Sequence, residues 1–203
     1  MLCLTGAMYP AMDLTAGEKE RGTMETILAS PASRAEIVLG KFLLVVTASL
    51  VTAALSILSF AITIFGGAEL FSELTKNFVI AVSTRALLAV LVMILPLSLI
   101  FAAALLAISV MARSYREAQT YITPLMFIVI LPAMASFLPG VELNAKLALV
   151  PILNVSLVSK EIFSGQYPWG LIALIFLSTT AYAAAAIYLA VRQFSREEVL
   201  FRT

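Results

Sequence analysis

Four long apolar stretches are the feature that most limits what this chain can fold into. They occupy residues 42–65, 86–112, 120–138 and 170–191, and the first two contain no charged residue. An α-helix needs about 20 mostly apolar residues to cross the hydrocarbon core of a bilayer. The sequence therefore predicts an all-α fold, a polytopic transmembrane helix bundle with four full spans.

The overall composition excludes a soluble globular domain. Hydrophobic residues make up 62% of the 203 residues and charged residues 12%, with a mean hydropathy of +1.03. Soluble domains are about 45–50% apolar and about 25% charged. One domain of this length has no core large enough to hide so much apolar surface, so lipid must serve as the solvent for part of it.

The first twelve residues predict only part of a further span. Residues 1–12 are apolar but too short to cross a membrane. We therefore expect residues 1–203 to form the C-terminal portion of a single transmembrane domain that begins with this partial span.

The distribution of Lys and Arg predicts the orientation. Alternating spans give one side nine basic residues and the other side four. The first set is Lys19, Arg21, Arg34, Lys41, Arg113, Arg116, Arg192, Arg196 and Arg202, and the second is Lys76, Arg85, Lys146 and Lys160. Because cytoplasmic loops carry the excess of basic residues, we expect a multi-pass plasma-membrane protein with a cytoplasmic C-terminus.

Several kinds of chemistry are excluded by the residues that the chain lacks. It has no His, one Cys and a net charge of +1. His-based acid–base catalysis and most zinc sites are therefore impossible, and nothing points to nucleic acid. The chain also lacks the glycine and lysine spacing of a phosphate-binding loop. We expect no catalytic residue and no metal site.

The region between the third and fourth spans predicts an outer helical hairpin over 141–165. The apolar run before Pro151 and the run from Asn154 to about Ser164 are each about 10 residues, too short to span. Asn154 is a possible helix cap, and Gly165 lies where a helix would end. A re-entrant hairpin and an amphipathic surface loop both fit. Lys160 and Glu161 could gate an exit path or simply be solvated at the interface.

The longest predicted inside loop, residues 13–41, carries two helix-start signals separated by Pro31. They are Thr15 with Glu18 and Ser33 with Glu36, each with the spacing of a capping box. We expect a short amphipathic helix over 16–29. Its charged side would be exposed, with Arg21 and Glu25 in i,i+4 contact. Such a helix could lie in the lipid headgroups or dock on a cytoplasmic partner.

The sequence GEKERGTME at 17–25, followed by ILASP at 27–31 and Gly40-Lys41, resembles the cytoplasmic loop of type-2 ABC exporter permeases. The resemblance is closest to the NatB-like sodium-export branch, and the run VPILN at 150–154 with Lys160-Glu161 is also similar to that branch. It extends over nearly the whole chain, which would lack the N-terminal part of such a permease.

The resemblance implies a division of labour between subunits. The helix around residues 18–25 would be a coupling helix that docks on a separate cytoplasmic ATPase. That ATPase would bind ATP and Mg, while this chain would bind no cofactor. A second permease subunit, identical or different, would complete the exporter. The residues implied to contact the partner are Glu18, Glu20, Arg21, Gly22, Thr23 and Glu25. Separately from the resemblance, the candidate outer gate comprises Asn154, Lys160 and Glu161.

Three other functions remain open at this stage. A non-transporting structural subunit of a membrane complex would share the same hydrophobic pattern. A secondary transporter would be expected to have ionisable residues within its spans, and none lies near the middle of any complete span here. A membrane enzyme is disfavoured by the missing His and the single Asp.

Overall fold

A computed structural model describes residues 1–66 and 83–194, and within these ranges the regular structure is entirely helical. The α-helices are α1 (Leu2–Met12), α2 (Glu18–Glu20), α3 (Thr23–Leu28), α4 (Arg34–Gly66), α5 (Thr84–Met111), α6 (Tyr115–Ala135), α7 (Leu153–Phe163) and α8 (Trp169–Phe194). A π-helical turn (Asp13–Gly17) joins α1 to α2, and a 3₁₀ turn (Leu147–Leu149) precedes α7. Lys76, Arg196 and Arg202, three of the residues used to predict the orientation, lie outside the described residues.

Serine side chains cap the N-termini of three long helices. Ser33 and Glu36 form the predicted capping box, in which the Ser33 amide donates to Glu36 Oε2 at 2.7 Å. Ser83 accepts from the Ala86 amide at 3.1 Å, and Ser114 accepts from the Glu117 amide at 3.2 Å. Each hydroxyl satisfies an amide that has no partner within its own helix, so these serines define where the helices begin.

The prediction of four spans is confirmed. Helices α4, α5, α6 and α8 are each long and apolar enough to cross a membrane. The third span, α6, begins at Tyr115 and ends at Ala135, whereas the sequence predicts a span over 120–138. Its start is earlier because Ser114 caps a first turn that contains Arg116 and Glu117, and these charged residues lie outside the apolar stretch.

Helix α5 forms the centre of the bundle and packs against α1, α4, α6, α7 and α8. Its fully buried Ala102, Ala103, Leu105 and Leu106 lie in the main hydrophobic core. Helices α4, α6 and α8 instead leave many large apolar side chains exposed, among them Leu55, Phe127, Leu131, Leu177 and Leu189. Apolar surface on this scale is the surface that a bundle presents to lipid.

The N-terminal helix is an integral part of the bundle, because α1 packs against both α4 and α5. A Cβ added to Gly6 would lie 2.4 Å from Thr52 Oγ1, so the backbone of α1 touches α4 there. The Ser49 hydroxyl donates to the Cys3 carbonyl at 2.9 Å. Helical structure then continues through the π-helical turn to Glu20.

The outer segment differs from the predicted pair of helices. The first predicted helix is reduced to the 3₁₀ turn, because the chain is irregular between Ser136 and Lys146. The second helix exists as α7 and ends before Gly165, whose φ is +82°. Asn154 is not its cap. It is the second residue of α7, which follows Ile152 at a φ of 74°.

Hydrogen bonds join the outer segment to the middle of α8. Asn154 Nδ2 donates to Thr179 Oγ1 at 3.2 Å, and the Tyr182 hydroxyl donates to the Leu149 carbonyl at 3.0 Å. Thr179 lies ten residues after the start of α8, which is about 15 Å along a helix axis. The 3₁₀ turn therefore reaches well below the beginning of α8. This depth favours the re-entrant hairpin, which stays a prediction.

Candidate partner-binding site at the charged end of the bundle

One end of the bundle, here called the charged end, is formed by residues 13–33 and by the short connection 112–114 between α5 and α6. The chain enters it through the π-helical turn, in which the Thr15 hydroxyl donates back to the Ala11 carbonyl at 2.6 Å. The predicted capping box of Thr15 and Glu18 is therefore wrong. No helix begins at Thr15, because the helix that starts at Leu2 continues through it.

The predicted continuous helix over 16–29 is also wrong, because it is broken at Gly22. This residue adopts a left-handed conformation with φ 70° and ψ 11°. Glycine takes that conformation without the steric cost that a Cβ brings. The result is two short helices, α2 and α3, one on each side of the turn at Gly22.

Glu18 is buried, contrary to its predicted exposure. Its side chain forms an ion pair with Lys41 of α4, and Lys41 Nζ also donates to the Leu14 carbonyl at 2.6 Å. Both residues are less than 10% exposed, and the buried Met24 lies beside them. This pair fastens the 13–33 segment to the beginning of α4 and is not available to a partner.

Lys19 and Glu20 contact the ends of two other helices. Lys19 Nζ donates to the carbonyl of Val110, which is next to last in α5. Glu20 Oε2 accepts a hydrogen bond of 2.8 Å from the amide of Tyr115, the first residue of α6. The 13–33 segment is therefore joined to α4, α5 and α6.

Arg21 forms an ion pair with Asp13 at 2.8 Å, in place of the predicted contact with Glu25. This hydrogen bond raises the pKa of Arg21. The pair borders an open surface cavity of about 360 Å³ that is also lined by Tyr9, Gly17, Glu20 and Tyr115. The rings of Tyr9 and Tyr115 meet edge to face with centroids 5.9 Å apart.

The remaining predicted partner-contacting residues lie on the outer surface. Gly22, Thr23 and Glu25 are exposed, and so are Glu20 and Arg21 on the preceding turn. A Cβ at Gly22 would meet nothing within 4 Å. The charged end thus presents a short, open helix start that is anchored from below by the contacts of Glu18, Lys19 and Glu20.

Sequence reasoning missed Asp13, Lys19, Lys41 and Tyr115 as members of this site. Lys41 carried a signal, since it lies at the edge of an uncharged stretch of more than 20 residues, where a charge is costly unless it is paired. The contact of Asp13 with Arg21 has a spacing of eight residues, which is not the i,i+3 or i,i+4 spacing that pairs side chains on a helix. The contacts of Lys19 with Val110 and of Glu20 with Tyr115 join residues more than 90 positions apart, and no local pattern reports them.

The three predicted gate residues lie at the other end of the bundle and play different structural parts. Asn154 is fully buried and donates to the Ala148 carbonyl at 3.1 Å as well as to Thr179. Lys160 is exposed and Glu161 is partly exposed on α7. Asn154 therefore holds the 3₁₀ turn in place, and a gating role for the three residues stays a prediction.

Acidic, cysteine and histidine side chains could in principle hold a metal ion. Within 1–66 and 83–194 they form no group of three or more that could do so. The ionic contacts at the charged end instead pair acids with Lys or Arg, as Glu18 with Lys41 and Asp13 with Arg21.

Comparison with known proteins identifies the family of this chain. The profile of a family described as "ABC-2 family transporter protein" matches residues 1–199. The chain belongs to the ABC-2 transporter family. A curated relative, the ABC transporter permease protein NatB of Bacillus subtilis (strain 168), is 30% identical over 173 residues. No solved structure matches this ABC-2 chain at a significant level.

The match to NatB covers 82% of this chain and 44% of the relative. The ABC-2 chain therefore spans less than half the length of the curated relative that it matches.

Proposed function

We propose that this chain is a membrane-spanning permease subunit of an ATP-driven exporter, and that its charged end docks on a cytoplasmic ABC ATPase. Membership of the ABC-2 family supports the permease role. The observation that carries the docking proposal is the exposed start of α3, which is presented by Gly22 on a segment fastened to α4, α5 and α6.

The contacts of the 13–33 segment suit it to transmitting a movement of a bound partner to the membrane helices. A helix that floated in the headgroups would bury an apolar face and expose an excess of Lys and Arg. Here Met24 is buried against the protein itself, and the exposed residues carry mixed charge. A partner that contacts Thr23 and Glu25 would displace a segment that is bonded to α4, α5 and α6.

Hydrolysis of ATP belongs, in this proposal, to the partner, which would hold ATP and Mg. This chain would supply the pathway and, with a second permease subunit, enclose it. The side predicted to be cytoplasmic has nine Lys and Arg residues in the sequence against four on the other side, and it includes Lys19, Arg21 and Arg113 of the charged end, which supports a cytoplasmic location for that end in the plasma membrane. Export is the direction that fits a resemblance to exporter permeases.

The direct test is co-purification of the tagged chain with an ABC ATPase encoded beside it, co-expressed in the same membranes. Thr23→Glu and Glu25→Lys alter the exposed start of α3 and should reduce ATPase recovery at least fivefold. Glu142→Lys is the matched control, since Glu142 is exposed at the opposite end. Equal recovery with all three variants, or no recovery with the unaltered chain, would rule out the docking surface.

A further inference from the structure

Lys19 and Glu20 are adjacent in sequence but contact the ends of two different helices. Lys19 reaches a carbonyl in the last turn of α5, and Glu20 reaches the first amide of α6. Between those two points the chain turns through only residues 112–114. One dipeptide therefore bridges the corner at which α5 ends and α6 begins, called here the α5–α6 corner.

The signs of the two charges match the two helix ends. The last carbonyls of a helix carry partial negative charge and attract a cation, whereas the first amides carry partial positive charge and attract an anion. Lys19 supplies the cation at the end of α5, and Glu20 supplies the anion at the start of α6. Each contact also satisfies a backbone group that the helix itself leaves without a partner.

Two further hydrogen bonds stabilise the corner. Ser114 caps the Glu117 amide, and Glu117 Oε2 accepts from the Arg113 amide at 2.7 Å. Both use groups of the corner itself. The Tyr115 amide, with its bond to Glu20, links the start of α6 to the 13–33 segment by a charge-assisted hydrogen bond. The edge-to-face pair of Tyr9 and Tyr115 adds an apolar contact beside it.

We propose that Lys19 and Glu20 are positioning residues that lock the 13–33 segment to the α5–α6 corner, so that a displacement of the segment moves the ends of α5 and α6 with it. This inference rests on the proposed function for the source of the displacement, but the lock itself exists without a partner. It assigns Glu20 to an internal contact instead of to the ATPase. Helix α5 is the central helix, so movement at its end reaches the whole bundle.

The lock can be tested in the chain alone by distance measurements between spin labels. Labels at Thr26→Cys on α3 and Gln119→Cys on α6, both exposed positions, would be placed in a Cys3→Ser background. The variant Lys19→Met with Glu20→Leu removes both contacts and should at least double the width of the distance distribution. The control Lys146→Met with Glu142→Leu makes the same chemical change at the opposite end and should leave the width unchanged.

A charge exchange tests the helix-end argument itself. Lys19→Glu with Glu20→Lys keeps the net charge but places a carboxylate on the α5 carbonyls and an ammonium group on the α6 amide. We expect a distribution as broad as that of the Met and Leu variant. An unchanged width in the Met and Leu variant would overturn the lock, and a narrow distribution after charge exchange would overturn its electrostatic basis.

Transmission is then tested with the ATPase bound. Labels at Gln119→Cys and Arg192→Cys report the separation of α6 and α8 at the charged end. ATP should change this distance in the unaltered chain, and the change should fall at least threefold in the Met and Leu variant while ATPase recovery is retained. A change of the same size in both would overturn transmission. Failure of the unaltered chain to bind ATPase would instead overturn the proposed function and leave the measured lock standing.

Discussion

At the scale of single residues, the buried ion pair of Glu18 and Lys41 gives the clearest prediction. Removing one partner leaves a buried charge uncompensated, which costs about 3–5 kcal/mol, whereas replacing both by apolar residues of similar size is often close to neutral. We expect Glu18→Leu and Lys41→Met each to lower the free energy of unfolding by about 3 kcal/mol or more. The double variant should lose far less than the sum.

The measurement is an unfolding titration in mixed micelles on all four proteins of this double-mutant cycle. A strictly additive double variant would contradict the ion pair, because additivity is the behaviour of residues that do not interact.

Gly22 gives a second prediction at this scale. Alanine at a left-handed position costs about 1–2 kcal/mol, and there is open space for its Cβ, so the penalty belongs to the backbone alone. Gly22→Ala should therefore lower the free energy of unfolding by about 1 kcal/mol. Gly40→Ala is the control, because Gly40 lies in α4 with equal space and should gain up to about 1 kcal/mol. Equal effects of the two substitutions in the same titration would be inconsistent with a left-handed Gly22.

The same residues mark the limit of what the sequence predicts about the site. The capping box of Ser33 and Glu36 was predictable because both partners lie within four residues of each other. The exposure of Glu18 was wrongly predicted, since the partner that buries it is 23 residues away on another helix. Helical periodicity describes which side of a helix is apolar, but it does not report what packs against the polar side.

At the scale of whole elements, the four long spans were predictable from the sequence, and the shorter helical pieces between them were not. A run of more than 20 apolar residues has few alternatives to a membrane helix, so α4, α5, α6 and α8 follow from hydropathy. The shorter pieces depend on tertiary contacts. The run at 141–150 has helical spacing but remains irregular apart from the turn at Leu147–Leu149, whose backbone is held by Asn154 and Tyr182.

The packing of α1 against α4 gives the prediction at this scale. Gly6→Ala would place a Cβ 2.4 Å from Thr52 Oγ1, so the two helices must separate and the core beside Leu4 and Ala7 would loosen. Overpacking of this kind costs about 1–3 kcal/mol. The loss should appear as a lower midpoint of thermal unfolding in detergent. Thr52→Gly removes both Oγ1 and the Cβ that would lie at 2.6 Å, so adding Gly6→Ala to Thr52→Gly should lower the midpoint far less than adding it to the unaltered chain.

Gly170→Ala at the start of α8 is the control, because its Cβ would meet nothing within 4 Å. If Gly6→Ala were as harmless as Gly170→Ala, then α1 would not pack closely against α4, and its place in the bundle would need revision.

At the scale of the whole molecule, the bundle has two chemically different ends joined by a common core. The charged end holds ion pairs and helix-end contacts, whereas the opposite end holds the stacked rings of Tyr167 and Trp169, 5.8 Å apart, which fit an interfacial anchor. Helix α5 links the two, since it contacts both α1, which leads into the charged end, and α7, which belongs to the outer segment. A movement introduced at one end thus has a direct physical route to the other.

This polarity predicts the orientation in the membrane. In a Cys3→Ser background, a single cysteine at Ser30 of the charged end should react with a membrane-impermeant maleimide only after the cells are permeabilised. A cysteine at Lys146 of the opposite end should react in intact cells. Both positions are exposed, so accessibility to the reagent depends on the side of the membrane. The positive-inside rule is the physical basis, because Lys and Arg are retained on the cytoplasmic side during insertion. The reverse labelling pattern would put the charged end outside, out of reach of a cytoplasmic ATPase, and would remove the basis for coupling through α3.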